Sequence, residues 1–103
     1  MARYTYVWEF IVDPEHVEEF QRQYGPSGPW VSLFSRAPGY VDTVLLRDRA
    51  NPQRFVTIDR WETADAYRSF RSAFSSEYTE LDAACAHLTA QEVSLGAYDE
   101  AIV

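Results

Sequence analysis

Thr57-Ile58-Asp59-Arg60-Trp61-Glu62-Thr63-Ala64-Asp65-Ala66-Tyr67-Arg68-Ser69-Phe70 reads as the end of a β-strand, a helix cap and the opening of an amphipathic helix. With Phe55 just upstream, Thr57, Asp59 and Trp61 recur with the strand period of two and so share one face. Thr63 is a capping side chain. Tyr67 and Phe70 start an apolar stripe at helical spacing. Val7 to Phe20 repeats the layout, with Asp13 as cap candidate and Pro14 at the first helical position. In each unit a phenylalanine, Phe20 or Phe70, follows seven residues after the cap. Two such strand–helix units in 103 residues point to a small α+β fold with internal pseudo-symmetry.

Residues 3–12 alternate: Tyr4, Tyr6, Trp8, Phe10 and Val12 point one way, Thr5, Val7, Glu9 and Ile11 the other. Val17, Phe20 and Tyr24 give the first helix its inward stripe, and Gly25 ends it. Pro26-Ser27-Gly28-Pro29 breaks the chain before a short helix to Ser35 carrying Trp30, Leu33 and Phe34. Ala37-Pro38-Gly39 stops that helix. Strands are predicted over Tyr40–Arg47 and Arg54–Glu62, forming a hairpin across the polar loop 48–53. Thr63 then caps one long helix to about Leu88, with Tyr67, Phe70, Phe74, Tyr78, Leu81, Cys85 and Leu88 as its stripe. Thr89–Tyr98 is the last strand, and Asp99–Val103 a short tail.

The predicted order is β-α-β-β-α-β, the ferredoxin-like split βαβ, with helices on one face of a four-stranded antiparallel sheet. Both faces of the first strand are largely apolar, where a sheet with one wet side would show a polar face. The second face is therefore expected to meet another protein surface, in a homodimer with a twofold axis.

The length suits one domain over residues 1–103. With 47% hydrophobic and 16% aromatic residues the chain has the composition of a packed protein with aromatic-lined surfaces. A formal net charge of -7 argues against nucleic-acid binding and against docking on an anionic membrane. All nine basic residues are arginine, which excludes a Schiff-base lysine. The lone cysteine, Cys85, forms no intramolecular disulfide and suggests a reducing, cytoplasmic setting. Met1-Ala2-Arg3-Tyr4 runs straight into a strand pattern rather than a signal peptide, and no apolar run reaches membrane-spanning length.

If the face holding Phe55, Thr57, Asp59 and Trp61 meets the long helix, Tyr67 comes over it. Aromatic walls with one carboxylate and two hydroxyls are the makeup of a small-molecule site. Each residue also has a structural reading. Trp61 and Tyr67 can be core aromatics with satisfied polar tips. Asp59 can pair with Arg47 or Arg71. Cys85, on the stripe, reads as a buried small hydrophobe. His16 and His87 have no His, Cys or acidic partner at ligand spacing, so no metal site is expected. The sequence has no phosphate loop or dinucleotide fingerprint.

Ala37-Pro38-Gly39-Tyr40, Thr57-Ile58-Asp59-Arg60-Trp61-Glu62 and Thr63-Ala64-Asp65-Ala66-Tyr67 resemble the antibiotic biosynthesis monooxygenase (ABM) superfamily, over about Tyr6 to Tyr98. The resemblance implies a dimeric α+β barrel. It also implies a cofactor-independent oxygenase acting with O2 on a small phenolic, anthrone-like or quinol-like aromatic. Anthrone-oxidising members line their pocket with the tryptophan ending the third strand and a tyrosine six residues later, matched here by Trp61 and Tyr67. Those members carry asparagine where this chain has Thr57, which lacks the amide's paired donor and acceptor. Such chemistry deprotonates an electron-rich substrate, whose anion gives an electron to O2. Asp59 is the candidate base, its pKa raised if buried. Trp61 and Tyr67 are candidate donors to a developing oxyanion, and Phe55, Thr57, Phe70 and Phe74 are candidate substrate contacts. Two alternatives stand beside this reading. One is a haem-binding or haem-degrading member, although 75–84 holds no histidine and His87 lies too far along. The other is a non-catalytic ligand-binding dimeric module.

Overall fold

A computed structural model describes residues 2–101 of the chain. Its elements are β1 (Tyr4–Val12), a 3₁₀ turn (Pro14–His16), α1 (Val17–Tyr24), α2 (Pro29–Ser35), β2 (Tyr40–Arg47) and β3 (Arg54–Trp61). They continue with α3 (Ala64–Ala73), α4 (Ser75–Cys85), a second 3₁₀ turn (Ala86–Leu88) and β4 (Thr89–Asp99). The strands form a four-stranded antiparallel sheet of order β2-β3-β1-β4, the ferredoxin-like α+β arrangement expected from the sequence. Ile102 and Val103, at the end of the expected tail, lie outside the described residues. Before them, Glu100 N–H donates to Arg3 O at 2.8 Å and continues the pairing.

Register follows the two-residue alternation. Tyr4 pairs with Trp61, Trp8 with Thr57 and Phe10 with Phe55, so the predicted inward positions of β1 and β3 share a face. Phe10, Val12, Phe55 and Trp61 on that face are buried against Phe20, Phe34, Phe70 and Leu88 of the helical layer. Cys85 is buried there too, as a small hydrophobe, and burial pushes its thiol pKa up.

Four features differ from the sequence reading. The long helix is broken at Phe74 (φ -114°, ψ 25°), where α3 ends and α4 begins. Phe74 N–H still donates to Phe70 O, and Tyr78 N–H to Phe74 O, at 2.9 Å. The break is thus a bend, at the Ser75-Ser76 pair, rather than a loop; serines compete for the helical backbone. Second, Asp13 makes no side-chain cap bond, because Pro14–His16 winds as a 3₁₀ turn in which His16 N–H reaches the Asp13 carbonyl at 2.9 Å. Thr63 does cap, its Oγ1 accepting from Ala66 N–H at 3.0 Å. Third, the sheet has register shifts at Val7/Trp8 and Ile11/Val12 against β4 and at Tyr40/Asp42 against β3. Gly96, at φ +125°, accommodates the first, as glycine at a bulge does. Fourth, the two histidines meet: the rings of His16 and His87 are 5.2 Å apart, with Glu19 beside them.

Gly39 sits at φ +90°, where a Cβ would come within 2.6 Å of Ala66 Cβ. The Ala37-Pro38-Gly39-Tyr40 turn therefore needs glycine twice over, for its backbone and for the close approach of α3.

Among the described residues, the opposite sheet face carries no helices. Val44, Leu46, Val93 and Tyr98 are 39–52% exposed together with the bulge residue Leu95, and they border the half-buried Val7, Val56 and Ile58. Asp42 receives both Arg60 Nε and Nη2 at 2.7 Å on this face, and that bidentate bond holds its carboxyl below the ordinary range. No helix among the described residues is long and apolar enough to cross a membrane.

Candidate active site

The helices bridge the sheet as an arch, and between them and the strands lies a cavity of about 280 Å³. Trp8 and Phe10 of β1 form its floor with Thr57 of β3. Trp30 and Phe34 of α2, Tyr24 of α1 and Tyr78 of α4 wall it. Asp59 and Thr43, which oppose each other in the β2–β3 ladder, place a polar pair inside it. Arg71, Asp82 and Glu92 are exposed side chains on its rim. An apolar interior with a few placed polar groups suits a small aromatic molecule.

Asp59 is the chemical centre of this geometry. Thr43 Oγ1 donates to Asp59 Oδ1 at 2.8 Å. Tyr40 Oη lies 2.7 Å from Thr43 Oγ1. A hydroxyl has one proton, so with Thr43 committed to the carboxylate, Tyr40 donates to Thr43. Burial raises the Asp59 pKa to about 6, against the lowering effect of the Thr43 bond. Neither arginine considered as its partner pairs with it. Arg47 Nε donates to Pro52 O at 2.7 Å and its guanidinium lies 5.4 Å over the Phe55 ring. Arg71 Nη1 donates to Tyr67 Oη at 3.0 Å and its guanidinium lies 3.9 Å over Tyr78.

The other residues singled out from sequence are distributed around this cavity rather than all inside it. Thr57, 5% exposed, lines it beside Asp59. Trp61 is fully buried behind the wall, packed against Phe34, Tyr40 and Phe70, with no partner for its indole N–H among the described residues. Tyr67 stacks on Tyr4 at 5.3 Å and meets the edge of Tyr6 at 5.4 Å. It is not among the residues lining the cavity, and its hydroxyl accepts from the rim residue Arg71. Phe55 and Phe70 are core residues, and Phe74, half-buried, lies under Arg36 at 5.0 Å. Trp8, Phe10, Trp30, Phe34 and Tyr78 were legible as inward-facing positions, but not as walls of one cavity. Thr43 could be found only with the β2–β3 register in hand.

The ABM (antibiotic biosynthesis monooxygenase) family model matches residues 3–83. The chain belongs to the antibiotic biosynthesis monooxygenase family. Among solved structures it is similar to SnoaB, a cofactor-independent oxygenase from Streptomyces nogalater, at 27% identity and TM-score 0.67, covering 100% of this chain and 97% of that one. A protein from Bordetella bronchiseptica, described as a candidate antibiotic biosynthesis monooxygenase, shares the fold at 22% identity and TM-score 0.78, covering 99% and 100% of the two chains. One from Nitrosomonas europaea, described likewise, does so at 16% identity and TM-score 0.74, covering 96% and 90%. No curated protein sequence matches the chain.

Proposed function

We propose that this protein is a cofactor-independent monooxygenase that oxidises a small phenolic, anthrone-like or quinol-like aromatic with O2, with Asp59 as the base. The observation that carries this reading is a carboxylate with no ion pair among the described residues, its pKa lifted to about 6, in an aromatic cavity. A base poised near neutral pH is what proton abstraction from a weakly acidic aromatic requires. Similarity to SnoaB supports the reaction class.

Asp59 takes the proton from the substrate's acidic C–H or O–H. The resulting anion gives one electron to O2, and radical and superoxide combine into a C–O bond. For an anthrone-like CH2 group the peroxide then loses water to leave a carbonyl. One oxygen atom ends in the product and one in water. The Tyr40–Thr43 relay stabilises the Asp59 carboxylate before proton transfer. The aromatic walls exclude water and hold the ring in place. Tyr67 is a positioning residue in this scheme, acting through Arg71 at the rim, and Trp61 backs the wall.

We further propose that the apolar outer sheet face pairs with a second copy of the chain. Exposed apolar patches of this kind mark interfaces. The test of the reaction is aerobic incubation of metal-stripped protein with a panel of anthrones and hydroquinones. Oxygen uptake and quinone absorbance above a protein-free control are expected. No uptake across the panel would favour a ligand-binding module instead.

A further inference from the structure

The chain has two histidines, and both come to one corner of the fold. His16 ends the first 3₁₀ turn, Glu19 follows three residues later in α1, and His87 lies in the turn before β4. One ligand atom from each lies within 4.8 Å of the others. The imidazoles meet edge to face at 81°. His87 Nε2 stands 3.7 Å from Glu19 Oε2, too long for a hydrogen bond that a metal would have to break. Glu15 brings a second carboxylate oxygen to 3.9 Å from His16 Nε2. None of these residues lines the aromatic cavity.

We propose that His16, Glu19 and His87 form a three-ligand site for a divalent transition metal, with Zn2+ the best match. Two imidazoles and a carboxylate are an established zinc donor set, leaving a fourth position for water. The same set suits Ca2+ or Mg2+ poorly, since those ions take oxygen ligands. Around a tetrahedral zinc with bonds of about 2.1 Å, ligand atoms stand about 3.4 Å apart, so no pair has to close by more than about 1.4 Å. The side chains have room to do so, being 29% (His16), 40% (Glu19) and 53% (His87) exposed. His16, the residue just before α1, and Glu19, in the first turn of α1, are three residues apart and come to the same corner. His87 arrives from the far end of the chain. A bound ion would therefore tie the start of α1 to the turn before β4, and its binding energy would add to folding stability.

The test uses the full-length chain without a histidine tag, stripped with a chelator and titrated with Zn2+ against a chromophoric competitor. The expected result is one Zn2+ per chain. The melting temperature should rise on the order of 10 °C at free zinc about a hundredfold above Kd. Glu19→Gln and His87→Gln should each weaken binding at least about tenfold, the loss that even outer-shell partners of zinc ligands produce. Their circular dichroism should stay unchanged. Should His87→Gln fail to fold, Glu19→Gln, a helix-surface change, carries the test alone. No binding below millimolar zinc would overturn the proposal. So would binding of unchanged affinity in Glu19→Gln, which would put the ion elsewhere.

Discussion

Asp59 holds its proton more tightly in the folded protein than in the unfolded chain, because the cavity strips water from its charged form. Its effect on stability follows from that direction. The folded state is favoured most below the ordinary aspartate range, and loses stability as pH rises from about 4 to about 6. The penalty at neutral pH is roughly 3 kcal/mol at most, from a shift of about two units at 1.4 kcal/mol each. Asp59→Asn should therefore be at least as stable as wild type at pH 7, and should lose this part of the pH dependence. Urea denaturation at pH 4 and pH 7 checks both. A wild-type protein no more stable relative to the variant at pH 4 than at pH 7 would show that the carboxylate is well solvated. At this scale the sequence was partly transparent. Strand alternation put Thr57 and Asp59 on the inward face, and both line the cavity. Alternation could not say that Trp61, two residues on, is sealed behind Phe34 and Phe70, because depth depends on how the helices lie across the sheet. Nor could it show the pairing of Arg71 with Tyr67 rather than with Asp59.

Among the elements, the helix starts show how similar sequence signals diverge. Thr63 makes its cap bond, whereas Asp13 does not, because Pro14 opens a 3₁₀ turn in which the first orphan N–H is met by a backbone carbonyl. Thr63→Ala should cost about 1 kcal/mol in urea denaturation, and Asp13→Ala only a few tenths. Equal losses would contradict the assigned caps. Most element boundaries were legible, since proline, glycine and the apolar period mark them. The bend at Phe74 was not. The stripe from Tyr67 to Leu88 keeps helical spacing through it, and the backbone bonds on either side persist. Periodicity is blind to a change of axis that preserves contacts. The corner of His16, Glu19 and His87 was hidden for a related reason: Glu19 is three residues from His16 in the sequence, but only the fold brings in His87 from the far end of the chain.

For the whole molecule, the two sheet faces divide the work. One carries the arch of helices and the aromatic cavity. The other leaves Val44, Leu46, Val93, Leu95 and Tyr98 exposed. The alternation of β1, apolar on both sides, makes this second face legible in the sequence itself. On the proposed assembly, Leu46→Glu places a charge in the apolar patch, on the edge strand β2. It should give a monomer in light scattering where wild type gives a dimer, with the cavity intact. A wild-type monomer would rule out this assembly.

The most direct test of Asp59 as the base is oxygen uptake by wild type and Asp59→Asn on the most reactive compound of the anthrone and hydroquinone panel. Wild-type turnover should rise with pH through about 6 as the carboxylate ionises. Asp59→Asn should fall by about 10²- to 10⁴-fold at pH 7 and lose that inflection. A variant that keeps the wild-type rate and pH profile would contradict the central role given to Asp59.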